Sequence, residues 1–220
     1  MMSVFQNKQM KCNVCGCYSE QTIVCSTNQI GSPDLDLRPP QMERSIQQFQ
    51  VQECPFCGYS NLSIEMEPPR GVTRDWLQSG SYQSCDGIGF VHAKERKYYR
   101  YYLICRKRRR LPKLFRALCG TIWMCDDDDN TATASLLRLQ AASLARKLYY
   151  RTINPIYRVI ECDLLRRAGK FDAVKRFGRV FAFKNRKLLD QIIEFEKREA
   201  AECNPGCFTV AEALEKGQKQ

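Results

Sequence analysis

The chain has 220 residues, 44% of them hydrophobic and 27% charged, a balance that suits one fair-sized domain or a small one joined to a larger, with a buried core rather than disorder. Its 13 cysteines are the outlying feature. No apolar run approaches the roughly 20 residues of a membrane span and the amino terminus lacks a basic-then-apolar leader, so a cytoplasmic protein with reduced thiols is expected, its cysteines serving as metal ligands or small buried hydrophobes rather than disulfides. The net charge of +11 is uneven: residues 1–92 hold 6 Lys+Arg against 9 Asp+Glu, residues 93–187 hold 25 against 8, and residues 188–220 hold 4 against 7.

The first 92 residues carry most of the turn signals, among them Gly31-Ser32-Pro33, Pro39-Pro40 and Pro68-Pro69, with short β-forming runs at 22–25, 48–54 and 59–66. Within them, Cys12-Asn13-Val14-Cys15-Gly16 and Cys54-Pro55-Phe56-Cys57-Gly58 are the strongest motifs in the chain. Two thiolates two residues apart can reach one ion at about 2.3 Å if the backbone turns tightly, and the glycine after each pair permits the positive φ that such a turn requires. Cys12, Cys15, Cys54 and Cys57 are therefore the expected ligands of a closed tetrahedral site, and the flanking strands would complete a zinc ribbon. The spacing between the pairs exceeds that of a common ribbon, so the insert 26–47 is expected to loop out.

Structural Zn2+ is the favoured ion. A mononuclear iron of the rubredoxin kind is the alternative, because tetrathiolate suits both metals; a redox dithiol would not need a second copy. The metal would contribute about 10–16 kcal/mol to folding. Cys17 and Cys25 read as strand residues, with a shifted register using one of them as the rival. Cys105, Cys119, Cys125 and Cys162 read as packed thiols. Cys203 and Cys207, across a Pro-Gly turn, offer half of a second site, with Cys85 and His92 as conceivable partners.

Beyond residue 92 the periodicity becomes helical. Leu111, Leu114, Phe115, Leu118, Cys119 and Ile122 share one helix face, and Leu137, Ala141, Leu144 and Leu148 make a second stripe. Asn154-Pro155 opens a helix carrying Ile156, Val159, Ile160 and Leu164, which Gly169 ends. Phe171, Val174, Phe177 and Phe181 predict another, then Leu188, Ile192 and Phe195 a longer one stopped by Asn204-Pro205-Gly206. Thr209 and Glu212 have capping-box spacing. The stretch from Leu164 to Val174 resembles the inter-helix turn of a tetratricopeptide (TPR) unit, without the 34-residue period. The fold class expected is α+β: a zinc-ribbon-like domain over 1–92, then a larger, basic, all-α, TPR-like domain over 93–220.

The order CxxCG, Ser32-Pro33-Asp34-Leu35-Asp36-Leu37-Arg38-Pro39, Glu53-Cys54-Pro55-Phe56-Cys57-Gly58-Tyr59 resembles the bacterial domain-of-unknown-function 2225 family. Trp123-Met124-Cys125-Asp126-Asp127 and the run from Glu161 to Gly169 fit its helical tail. The resemblance implies bacterial cytoplasm and metal binding at Cys12, Cys15, Cys54 and Cys57. It implies no activity, and Cys17, Cys25, Cys203 and Cys207 lie outside its pattern.

Other chemistry is thin. A single histidine, His92, excludes imidazole-rich zinc hydrolase sites, and no nucleotide-binding glycine motif or nucleophile elbow is present. The acidic run 126–129 reads as a cap for a helix beginning near Thr131, and Asp34, Asp36 and Arg38 as residues that order their own loop. An enzyme is not expected, and no small-molecule substrate is evident. The basic segment is the remaining signal: Lys94, Arg96, Lys97, Arg100, Arg106, Lys107, Arg108, Arg109 and Arg110, with Tyr98, Tyr101, Tyr102 and Cys105 on the other face. It reads as a tyrosine-lined core face backed by a solvated basic one, for which acidic protein partners would be natural ligands, or else as a contact for RNA or DNA through phosphate pairing and stacking, with Lys175, Arg176, Arg179, Arg186 and Lys187 extending the charge.

Overall fold

Residues 3–178 and 186–218 are described by a computed structural model. Small antiparallel sheets come first and helices follow, an α+β arrangement. The chain forms two compact units, Met1–Ile30 with Gln41–Thr133, and Gly31–Pro40 with Ala134–Gln220.

In the first unit, β1 (Val4–Lys11) and β2 (Tyr18–Ser26) make an antiparallel ribbon joined by the first cysteine pair. The two-residue strands β3 (Gln29–Ile30) and β4 (Gln41–Met42) pair, as do β5 (Gln52–Glu53) and β6 (Ser60–Asn61), which flank the second cysteine pair. Short helices α1 (Glu43–Ile46), α2 (Arg74–Gln78) and α3 (Gly80–Gln83) lead to the long hairpin of α4 (Ala93–Arg108) and α5 (Leu111–Asp127). Arg109, in the left-handed region at φ 54°, breaks the two helices apart, and Pro112 sits in the first turn of α5, where a missing N–H costs nothing. The stripe read from Leu111 to Ile122 is the inner face of α5: Phe115, Leu118, Cys119 and Ile122 are buried. The hairpin closes tightly at Gly120, where a Cβ would lie 2.7 Å from the Tyr98 ring.

The second unit contains α6 (Thr131–Thr152, whose first turn belongs to the first unit), α7 (Ile156–Arg167), α8 (Phe171–Lys175), α9 (Arg186–Ala201) and α10 (Val210–Gln218). Its boundaries follow local chemistry. Asn154 Oδ1 accepts from the Ile156 N–H at 3.1 Å at the start of α7. Gly169, at φ 72°, lets the Lys170 N–H reach back to the Leu165 carbonyl at 2.9 Å. Thr209 and Glu212 exchange capping-box bonds, 2.7 Å and 3.2 Å, ahead of α10. Val159, Cys162, Val174, Phe177, Ile192, Ile193, Phe195 and Ala213 form its core, together with Leu35 from the early loop.

Four expectations change. The runs 48–54 and 59–66 shrink to β5 and β6, because the cysteine turn occupies the space between them and a 3-10 turn takes Gln47–Phe49. Residues 31–40 do not loop out: they add Leu35 to the core of the second unit, and Asp34 forms a β-bridge with Thr209. In the acidic run, Asp126 and Asp127 end α5, Asp128 pairs with Lys94 at 2.8 Å, and the Asp129 carbonyl accepts from the Thr131 N–H at 2.9 Å where α6 begins. The helix expected from Phe171 onward is the five-residue α8; Phe181 and Arg179 lie outside the described residues. Residues 92 and 93, where the local composition changes, both fall within the first unit, because α4 is bonded to the ribbon side by side chains described below.

Candidate metal centre

Each cysteine pair folds the same way because each presents the same backbone pattern. In the first, the Gly16 N–H donates to the Cys12 carbonyl and the Cys12 N–H to the Cys17 carbonyl, both at 2.9 Å. In the second, the Gly58 N–H donates to the Cys54 carbonyl at 2.9 Å and the Cys54 N–H to the Tyr59 carbonyl at 3.0 Å. Gly16 and Gly58 have φ of 76° and 73°, a conformation that costs a side chain about 1–2 kcal/mol.

The two turns bring four sulfurs together. Cys12 Sγ lies 3.7 Å from Cys57 Sγ, Cys15 Sγ lies 3.6 Å from Cys54 Sγ, and all four fall within 4.8 Å of one another. A tetrahedron with metal–sulfur bonds of about 2.3 Å has sulfur–sulfur edges of about 3.8 Å. A disulfide would need about 2.0 Å, and every cysteine is a free thiol. The donor set therefore fits one metal ion held by Cys12, Cys15, Cys54 and Cys57. Cys12, Cys54 and Cys57 are buried and Cys15 is half-buried.

Without an ion, such a nest of sulfurs is electrostatically awkward. Burial pushes the Cys12 thiol up to about 11 and also raises Cys57. For Cys15 burial acts the same way, but bonds from the Cys17 backbone and the neighbouring thiols overcome it and bring the group to about 7. A cation removes the conflict by displacing the protons.

The surroundings tie the centre to the rest of the unit. The Asn13 N–H donates to the Ile64 carbonyl at 2.9 Å and its side-chain amide to the Glu65 carbonyl at 3.2 Å. Tyr59, fully buried, donates to the Met66 carbonyl at 3.0 Å. Tyr82 donates to the Gly58 carbonyl at 2.6 Å, and Arg100 spans Glu53 at 3.3 Å and Gln83 at 3.2 Å.

The basic segment divides into structural and exposed parts. Lys94 pairs with Asp128, Lys97 donates to the Gln48 carbonyl at 2.7 Å, Arg100 is engaged as above, and Arg108 donates to the Glu67 carbonyl at 2.7 Å. Tyr98 and Tyr102 are buried, Tyr101 is half-buried, and Tyr98 donates to the Gln47 carbonyl. Arg96 is half-buried. Arg106, Lys107, Arg109 and Arg110 are exposed at the α4–α5 turn, Arg106 over the Tyr102 ring and Lys107 4.7 Å from the centre of the Trp76 ring.

The remaining cysteines do not join the centre. Cys17 and Cys25 are exposed, and Cys85, Cys105, Cys119, Cys125 and Cys162 are buried. Cys207 donates to Asp34 at 3.3 Å, and Cys203 is exposed; neither belongs to a converging group of metal-ligating side chains among the described residues. His92 is the N-cap residue of α4, where Glu95 accepts from the Val91 N–H at 2.7 Å.

A second polar cluster, in the second unit, was not anticipated. Arg166 is fully buried and all of its donors are engaged: Nε and Nη2 with Glu196 at 2.6 and 3.3 Å, Nη2 with Asp163 at 3.0 Å, and Nη1 with the carbonyls of Asn204 and Gly206, both at 2.8 Å. Arg167 reaches Asp36 at 3.1 Å. Burial, and then the nearby Glu196 charge, raise Asp163 to about 8. Glu161, Asp163, Arg166 and Arg167 are all buried on α7, which their charge alone does not signal. No helix among the described residues is long and apolar enough to cross a membrane. No family model matches the chain, nor does any curated protein or solved structure.

Proposed function

We propose that the chain is a non-enzymatic, cytoplasmic zinc protein in which a zinc-ribbon-like centre supports a TPR-like helical scaffold that binds a protein partner. The observation that carries this reading is the convergence of four cysteine sulfurs at tetrahedral spacing in a largely buried site. Four protein ligands leave no open position for a reacting water, so the ion would act as a cross-link between the two knuckles rather than as a Lewis acid. Zinc is preferred to iron because the role is structural and zinc has no redox chemistry. The resemblance to the domain-of-unknown-function 2225 family belongs to the same reading.

A protein partner is favoured over nucleic acid because three of the α4 tyrosines, Tyr98, Tyr99 and Tyr102, are buried and supply no stacking platform. The exposed arginines of the α4–α5 turn support RNA or DNA as the second reading. Two measurements test the proposal. Elemental analysis of purified protein should give one zinc per chain and a colourless solution, whereas a red, iron-loaded sample would support a rubredoxin-like carrier. An affinity pull-down from cell extract should retain a protein whether or not nuclease is present, and capture that nuclease abolishes would favour the nucleic-acid reading.

A further inference from the structure

Beside the metal centre lies a cleft of about 560 Å³, between the segment Met66, Glu67, Pro68, Pro69, Arg70 and the end of α4 with Lys107, Arg108 and Arg110. Such a volume suits a ligand that buries several groups. One wall is fixed by the cysteine turns, through Asn13 on the Ile64 and Glu65 carbonyls and Tyr59 on the Met66 carbonyl. The opposite wall is the last turn of α4, where Arg108 is set by its bond to the Glu67 carbonyl.

The chemistry of the walls is specific. Four cations face one carboxylate, and Arg70 and Arg110 are exposed and make no ion pair among the described residues. Guanidinium groups with open donors match carboxylates in a two-pronged geometry. Met66, Pro68 and Pro69 add apolar surface between the charges. No aromatic ring lines the cleft, so an unstacked base would find nothing to lie on, while a carboxylate next to an aliphatic side chain would find both of its complements.

We propose that this cleft is a docking site for an acidic segment of a partner protein, one in which Asp or Glu alternates with aliphatic residues. The assignment rests on the reading of the chain as a protein-binding scaffold and names the surface that reading would use. Arg70 and Arg110 supply the long-range attraction and the carboxylate contacts, Arg108 holds the rim, and the two prolines keep the wall extended.

The test is fluorescence anisotropy on the full chain with a labelled twelve-residue peptide alternating glutamate and leucine, alongside the glutamine version and a labelled twelve-residue oligouridylate. The expected result is binding of the glutamate peptide that weakens with salt, falls at least tenfold in the double variant R70E/R110E, and is little changed in K8E/K147E. That control carries the same charge change at exposed positions outside the cleft. Both variants should retain the metal content of the parent, which separates loss of contact from loss of fold. Equal loss in both variants, or preference for oligouridylate, would overturn the assignment. The underlying reading fails separately. If the extract pull-down still retains its protein with R70E/R110E while the peptide binds nowhere, the cleft is wrong and the scaffold stands. If the pull-down retains no protein, the scaffold is wrong whatever the peptide does.

Discussion

Replacing Arg166 by Met would keep the aliphatic stem of this buried residue and delete its donors. Glu196 would lose two bonds and Asp163 one, and the carbonyls of Asn204 and Gly206 would each lose one. Breaking a buried ion pair from one side costs about 3–5 kcal/mol, while the Asn204 and Gly206 carbonyls are only partly buried and can turn to water. A loss of about 3–5 kcal/mol is a large share of the roughly 5–15 kcal/mol that holds a domain of this size together. R166M should therefore strongly destabilise the second unit. The first unit, which contains all four cysteine ligands, should remain folded and keep its metal. Amide hydrogen exchange would show protection lost across α7 and α9 and retained across α4 and α5. Replacing Glu196 by Leu in the same variant should recover part of the loss, because no charge is then buried alone. An R166M protein that melts within a degree or two of the parent would refute the reasoning, as would one in which both units collapse together.

Other consequences can be checked one at a time. Asp163 is raised to about 8 from an unfolded value of about 4, so between those values the folded state binds the extra proton and stability falls as pH rises; calorimetry should show the parent gaining stability from pH 8 to pH 5, a slope that D163N flattens. Leu35 is 1% exposed within the core of the second unit, so L35A should cost about 2–5 kcal/mol there, read by urea titration. At Gly120 the missing Cβ makes room for Tyr98, and G120A should destabilise the α4–α5 hairpin by about 1–3 kcal/mol, seen as a lower melting temperature of the first unit.

How far the sequence leads depends on the distance over which each feature is encoded. The metal centre was legible because each half is a five-residue turn whose glycine and cysteine spacing are both local. Helix ends were legible for the same reason, as Asn154, Gly169 and Thr209 show. Asp34 and Asp36 were read as ordering their own loop, and Asp36 does accept from the Arg38 N–H at 3.0 Å. Their other partners, Cys207 and Arg167, lie well over a hundred residues away, and nothing in the local pattern points to them. The buried arginine cluster was missed for a related reason: charged residues on a helix read as a solvated face unless the partner strands or helices are known. Alternating lysine, arginine and tyrosine in α4 showed which residues share a face, but not that most of the cations on it would be spent on backbone carbonyls and carboxylates. The β1 strand was also missed, because Gln6, Asn7, Lys8 and Gln9 give it no apolar alternation, and it is recognised only through its antiparallel pairing with β2 across the first cysteine turn.

The claim on which everything else stands is that Cys12, Cys15, Cys54 and Cys57 hold one ion that the first unit needs in order to fold. Metal stoichiometry measured with thermal unfolding, on the parent and on C54S, tests it most directly. The account predicts one zinc per parent chain. In C54S, or in the parent after chelation, it predicts loss of the metal and of the first unit's cooperative transition, with recovery when zinc is returned to the chelated parent. A parent chain that carries no metal, or that melts identically before and after chelation, would contradict it.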